Sequence, residues 1–174
     1  SVGLLERLES ARRPGEDGID TLRRVLEEPD CAPGARFSQE ATALRAVLRS
    51  DAMLYVVDAR DPVRARHRDE LTILGWCARP VVPVLNFTAE PDTHAGAWRE
   101  QLRRVNMHAS ATFDTVVYDA AGERRLFEKL RSLLHESAPA IDAVAEARRA
   151  EQGELARAAA RITAELLVDV AAFA

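Results

Sequence analysis

Two apolar runs in this chain end in side chains able to hold a ligand. Residues 51–58, Asp-Ala-Met-Leu-Tyr-Val-Val-Asp, close on Asp58, and residues 80–86, Pro-Val-Val-Pro-Val-Leu-Asn, close on Asn86. A carboxylate and a carboxamide ending neighbouring buried strands are positioned to exchange hydrogen bonds with a ligand at the carboxyl edge of an open α/β sheet. Each also has a purely structural use, because both residue types cap and brace turns. Other chemistry finds little footing. No serine sits in a nucleophile elbow and no cysteine pairs with a histidine. His67, His94, His108 and His135 are scattered, with no carboxylate or cysteine at metal-ligand spacing. No catalytic residue and no metal ligand is expected.

The elements that must position these residues follow from periodicity. Short helices are expected at 2–10 and 19–28, split by the breaker run Arg13-Pro14-Gly15-Glu16-Asp17-Gly18. A third helix over 38–49 places Ala41, Leu44, Val47 and Leu48 on one face. Strands are expected at 52–57, 81–85 and 112–118. Between the first two, Asp61-Pro62 reads as an N-cap with proline at the first helical position, opening a helix to about Cys77. After Pro91, Trp98, Leu102 and Val105 mark another amphipathic helix. Gly122 leads into one that turns Leu126, Leu130, Leu133 and Leu134 inward. Strands alternating with helices at these spacings predict an α/β fold, a three-layer parallel sheet built by right-handed crossovers. Three segments result: a helical lead-in at 1–37, the α/β core at 38–136 and a helical extension at 137–174.

The segment Leu54-Tyr-Val-Val-Asp58-Ala59-Arg60-Asp61-Pro62 resembles the strand and loop after the second switch of bacterial Era-like P-loop GTPases. The next strand ends Val84-Leu85-Asn86-Phe87-Thr88-Ala89, where that family carries Asn-Lys-x-Asp. The third ends Tyr118-Asp119-Ala120-Ala121-Gly122-Glu123, where it has a Ser-Ala-Lys-like loop. The resemblance spans about residues 38–136, the C-terminal half of such a domain. It implies a guanine site formed by Asn86, Phe87, Thr88, Asp119, Ala120 and Ala121, with GTP or GDP and Mg bound in the parent protein. The tail is similar to the helical extension of an uncharacterised group of bacterial GTPases. Phe87 and Ala89 stand where the family has lysine and aspartate. Phe87 can stack on a base, but Ala89 cannot accept guanine's hydrogen bonds, so base discrimination should be weakened. No Gly-x-x-x-x-Gly-Lys-Ser/Thr loop occurs, and the eight glycines are scattered singly. The family order puts that loop upstream of Ser1. The chain, opening directly into Leu4-Leu5-Glu6-Arg7-Leu8, is read as part of a longer protein. Asp51, Asp58 and Asp61 also imitate a phospho-acceptor cluster. A receiver domain, however, puts its acids after an earlier strand, and none is expected before residue 52.

Twenty-four basic against 28 acidic residues leave a net charge of −4, which disfavours a nucleic-acid partner. Cys31 and Cys77 sit in unlike contexts and are expected as reduced thiols in a cytoplasmic protein. No apolar run approaches a membrane span. From Pro139 to Phe173 an alanine- and arginine-rich stretch carries Leu155, Ala159, Ile162, Leu166, Val170 and Phe173 down one stripe. A helix of about 34 residues is roughly 50 Å long, so a break near Gly153 or a partner surface is expected. The stripe should be buried against the N-terminal helices or another subunit, with membrane association disfavoured by the mixed Glu/Arg opposite face. Two functions compete. One is the base-recognition half of a GTPase, inactive as an NTPase by itself. The other is a non-catalytic α/β binding or oligomerisation module that uses the helical arm.

Overall fold

A computed structural model describes residues 2–114 and 119–172 and divides the chain into two compact units, 1–129 and 130–174. The first unit opens with helices α1 (Val2–Ala11), α2 (Gly18–Leu26) and α3 (Ser38–Arg49). It continues through β1 (Met53–Asp58), α4 (Ala65–Trp76), β2 (Val81–Asn86), α5 (Ala95–Arg104) and β3 (Ala111–Thr112). Helix α6 (Ala120–Leu133) runs across the division, and α7 (Ala138–Ala172) fills most of the second unit.

The sheet has the order β1-β2-β3 with both pairings parallel. Met53 aligns with Val81 and Asp58 with Asn86, so the two polar strand ends are direct neighbours. Strand β2 is central, yet it contains Pro83, which has no N–H to give a ladder. Its even-numbered carbonyls face β1: Pro80 accepts the Met53 N–H at 2.9 Å and Asn86 that of Ala59 at 3.0 Å. Pro83 therefore faces the β3 side, where pairing begins only at Val84. The proline costs no ladder bond there.

Two apolar cores flank α4. One joins Leu4 and Leu8 of α1, Leu22, Val25 and Leu26 of α2, and Ala41 and Leu44 of α3 with Ile73 and Cys77. The other joins Val57, Leu71, Leu85, Trp98, Leu102 and Met107. Leu71 and Ile73 are two residues apart, about 200° around the helix, so α4 buries opposite faces in the two cores. The lead-in helices thus share a core with α3 and α4. Cys31 and Cys77 are buried free thiols.

Several expectations need correction. Helix α4 begins at Ala65, not after Asp61. The Asp61 carbonyl accepts the Trp98 indole N–H at 2.8 Å and the Asp61 N–H is donated to the Asp58 carbonyl at 3.2 Å. These bonds hold Asp61 in the preceding turn. Arg64 becomes the N-cap, its N–H donated to His67 Nδ1 at 3.2 Å, so a histidine at the third helical position takes the reciprocal role usual for glutamate. Strand β3 covers Ala111–Thr112 and Phe113–Asp114 follow it without strand structure, while 115–118 lie outside the described residues. Leu133 of α6 is exposed.

In the second unit α7 runs unbroken through Gly153. One glycine costs about 1 kcal/mol against alanine, and strong helix formers surround it. Ion pairs Arg131–Asp142 (3.2 Å) and Arg148–Glu151 lie on exposed surface. The apolar stripe is exposed in this chain: Leu155, Ile162, Leu166 and Val170 are each 61–65% accessible. No helix among the described residues is long and apolar enough to cross a membrane.

Candidate functional site

Strand β1 turns sharply at its end because Asp58 Oδ1 accepts the Arg60 N–H at 2.9 Å, an Asx turn. The same carboxylate receives the Arg60 side chain: Nε lies 2.9 Å from Oδ1 and Nη2 2.7 Å from Oδ2. The guanidinium beside it holds the Asp58 carboxyl below its usual range, while Asp58 pushes Arg60 further up. Arg60 Nη1 reaches Glu90 at 3.2 Å. Its guanidinium carbon sits 3.8 Å from the centre of the Phe87 ring, a cation–π contact. Of the two uses open to Asp58, turn capping is the one observed.

Asn86 is buried at the end of β2, and its Oδ1 accepts the Phe87 N–H at 2.9 Å. Phe87 occupies the left-handed region at φ 57°, an uncommon place for a side chain this large. The Asn86 bond helps hold that turn, and the turn presents the ring to Arg60. Thr88 follows, half-buried, and the Ala89 N–H is donated to Asp114 Oδ2 at 3.2 Å. Asp114 is itself buried, which ties the loop after β2 to the segment after β3.

The third group stands at the start of α6. Asp119 Oδ1 accepts the Gly122 N–H at 2.8 Å, a helix N-cap bond, and Oδ2 lies 3.3 Å from Arg125. A Cβ on Gly122 would come within 3.1 Å of the Thr112 carbonyl, so the absence of a side chain lets the α6 entrance close on the end of β3. Ala120 and Ala121 are the first two helical residues.

Of the six residues expected at the site, Asn86 ends β2, Phe87 and Thr88 follow it directly, and Asp119, Ala120 and Ala121 open α6. Asn86 and Phe87 are joined to the Asp58 turn. Asp119, Ala120 and Ala121 are placed beside β3. Arg60, Glu90 and Asp114 were not singled out in advance. Arg60 was recoverable as the donor in an Asp-Ala-Arg turn, whereas Glu90 and Asp114 carry no local signal.

The outer side of β1 is open. Among the described residues no strand pairs with its far edge, and Leu54 and Val56 are 47% and 59% accessible. Beside it lies a cavity of about 310 Å³ lined by Tyr55, Asp58, Asp61, Arg66, His67 and Trp98, among others. There the Tyr55 hydroxyl donates to Glu70 at 2.8 Å, and burial pushes its pKa up. Burial holds His67 down, and its ring centre lies 4.8 Å from that of Trp98.

A family model described as a domain of unknown function (DUF3482) matches residues 99–174, which comprise part of α5, β3, α6 and α7. No curated protein and no solved structure matches the chain.

Proposed function

We propose that this chain carries the base-recognition half of a P-loop GTPase-like domain. The phosphates of GTP or GDP and their Mg would be held by a loop on another segment of the full-length protein. The observation that carries the reading is the Phe87 ring. It is held at the carboxyl edge of the sheet by a left-handed turn and already covered by a planar cationic group at 3.8 Å. A face that stacks a guanidinium can also stack a purine. The open edge of β1, with Leu54 and Val56 exposed beside it, supports the addition of a further strand there. We place the phosphate-loop strand at that edge.

On this reading Asn86 acts mainly by fixing the turn, Phe87 stacks on the base, and the Asp119–Ala121 turn offers backbone groups to the base edge. Ala89 supplies no carboxylate, so guanine is poorly distinguished from other purines. The chain by itself has no NTPase activity, since phosphoryl transfer rests on positioned phosphate contacts and magnesium. Cytoplasmic location accords with the free thiols of Cys31 and Cys77.

The test is nucleotide binding by the full-length protein. Phe87→Ala should weaken it about tenfold, in line with roughly 1–3 kcal/mol for a stacked base, and Asn86→Ala should weaken it as well. Unchanged affinity in both variants, with unchanged melting, refutes the site. A second reading, a binding or oligomerisation module without nucleotide, is favoured by the exposed stripe of α7.

A further inference from the structure

We propose that the cavity beside β1 binds a small zwitterion, a free α-amino acid, whose carboxylate accepts hydrogen bonds from His67 Nε2 and Arg66. The proposal is independent of the nucleotide reading, because none of the six residues given to the base lines this cavity.

Its starting point is a proton without an acceptor. His67 Nδ1 accepts the Arg64 N–H at 3.2 Å and so caps α4. A neutral imidazole has one acceptor nitrogen, which puts the proton on Nε2. Burial foremost, and the Arg66 charge after it, lower the His67 pKa and keep the ring neutral at neutral pH. Yet the group that faces Nε2, at 3.0 Å, is Arg66 Nε, which carries a hydrogen of its own. Two donors therefore meet, and Nε2 has no acceptor among the described residues. The histidine is 8% accessible, and a buried donor left unpaired is costly.

Both donors line the cavity of about 310 Å³. An oxygen brought to the two of them accepts from each, and an anionic oxygen does so through charge-assisted bonds. They stand in the first turn of α4, where the helix dipole also favours negative charge.

The rest of the lining disfavours a plain anion. Asp58, Asp61 and Glu70 set three carboxylates against the single guanidinium of Arg66. Asp58 is already paired with Arg60 at 2.7 Å. Asp61 has a looser partner, Arg64 at 3.9 Å, and Glu70 accepts from the uncharged Tyr55 hydroxyl. A ligand that suits this lining brings positive charge along with its acceptor, which phosphate and dicarboxylates do not. An ammonium beside a carboxylate meets both demands. Val56 and Val57 add an apolar wall for an aliphatic side chain. The volume lies at the small end of ligand pockets, too small for a peptide.

The test is an NMR titration of the intact chain, with ring-15N histidine and L-leucine as the probe. Without leucine, His67 should show the neutral Nε2–H tautomer. Leucine should shift its Nε2 resonance saturably while the tautomer stays the same. N-acetyl-L-leucine, which lacks the ammonium, and L-leucine methyl ester, which lacks the carboxylate, should each bind at least tenfold more weakly. Arg66→Ala, at an exposed position, should lose at least tenfold in affinity with melting unchanged. Asp61→Asn should weaken L-leucine but not its N-acetyl derivative. An Nδ1-protonated ring in the free chain overturns the proposal. So does the absence of a saturable response at millimolar leucine, which would leave water as the acceptor, or equal binding of leucine and N-acetyl-L-leucine.

Discussion

Replacing Trp98 with phenylalanine tests how the candidate site is held in place. Trp98 is 1% accessible in the core beneath the sheet, and its indole N–H is donated to the Asp61 carbonyl at 2.8 Å. That bond fastens α5 to the turn presenting Asp58 and Arg60. Phenylalanine keeps an aromatic ring but loses the donor. Asp61 is only half-buried, so water can partly replace the lost partner and the cost is about 1 kcal/mol. The smaller ring leaves a void of roughly 40 Å³, worth about another 1 kcal/mol at ~24 cal/mol per Å³. The sum, about 2 kcal/mol, should lower Tm by roughly 4–8 °C for a chain of this size. Trp98→Ala should cost about 3–5 kcal/mol. Urea unfolding followed by circular dichroism measures both. The amide resonances of Asp58, Arg60 and Asp61 should move in Trp98→Phe while those of α1 and α2 stay in place. A loss below about 0.5 kcal/mol, or equal losses in the two variants, would refute the account of how this turn is anchored.

The remaining expectations concern charge and nucleotide. Glu16 accepts the Arg13 N–H at 3.0 Å and the Thr21 hydroxyl at 2.9 Å, and pairs with Arg24 at 2.8 Å. The Arg24 hydrogen bond, foremost, lowers its pKa from 4.5 to about 2. A depressed acid stabilises the fold above its unfolded value, so this contribution should fade as pH falls from about 4.5 to about 2. The Tm gap between wild type and Glu16→Gln should be steady at neutral pH and close over that window; a gap independent of pH contradicts the assignment. Arg60→Ala should uncover the Phe87 ring and tighten base binding a few-fold in equilibrium titrations of the full-length protein. Weaker binding would mean that Arg60 belongs to the ligand's own contacts. Purified as it stands, the chain should turn over no GTP, and activity that persists through further purification would contradict this.

Much of the fold was legible because apolar periodicity and tertiary burial agree. Leu22, Val25 and Leu26 of α2, and Ala41 and Leu44 of α3, are buried as their spacing demands. The β1 and β2 runs pair in parallel as their apolar character implies. What periodicity misled on was decided by distant partners. Asp61-Pro62 has the chemistry of a helix start, but the Trp98 indole, 37 residues away, holds Asp61 in the turn. Gly153 signals a break only when its neighbours are poor helix formers, and they are not. The stripe of α7 could be read from spacing, whereas its exposure in this chain could not. At the site, the strand-end positions of Asp58 and Asn86 were visible in the sequence. Arg60 covering Phe87 was not, since that contact needs the turns after two different strands to meet.

The central claim is that a base binds at the turns after β2 and before α6. Its most direct measurement is an amide-resolved NMR titration of this chain with guanosine and with GDP at millimolar concentration. The account predicts shifts concentrated at Arg60, Asn86, Phe87, Thr88 and the Asp119–Gly122 turn. Guanosine and GDP should be nearly equal in effect, because the phosphates find no loop here, and adenosine should follow closely. Shifts that are absent, or that gather on α7 or around the cavity beside Tyr55 and His67, would contradict it.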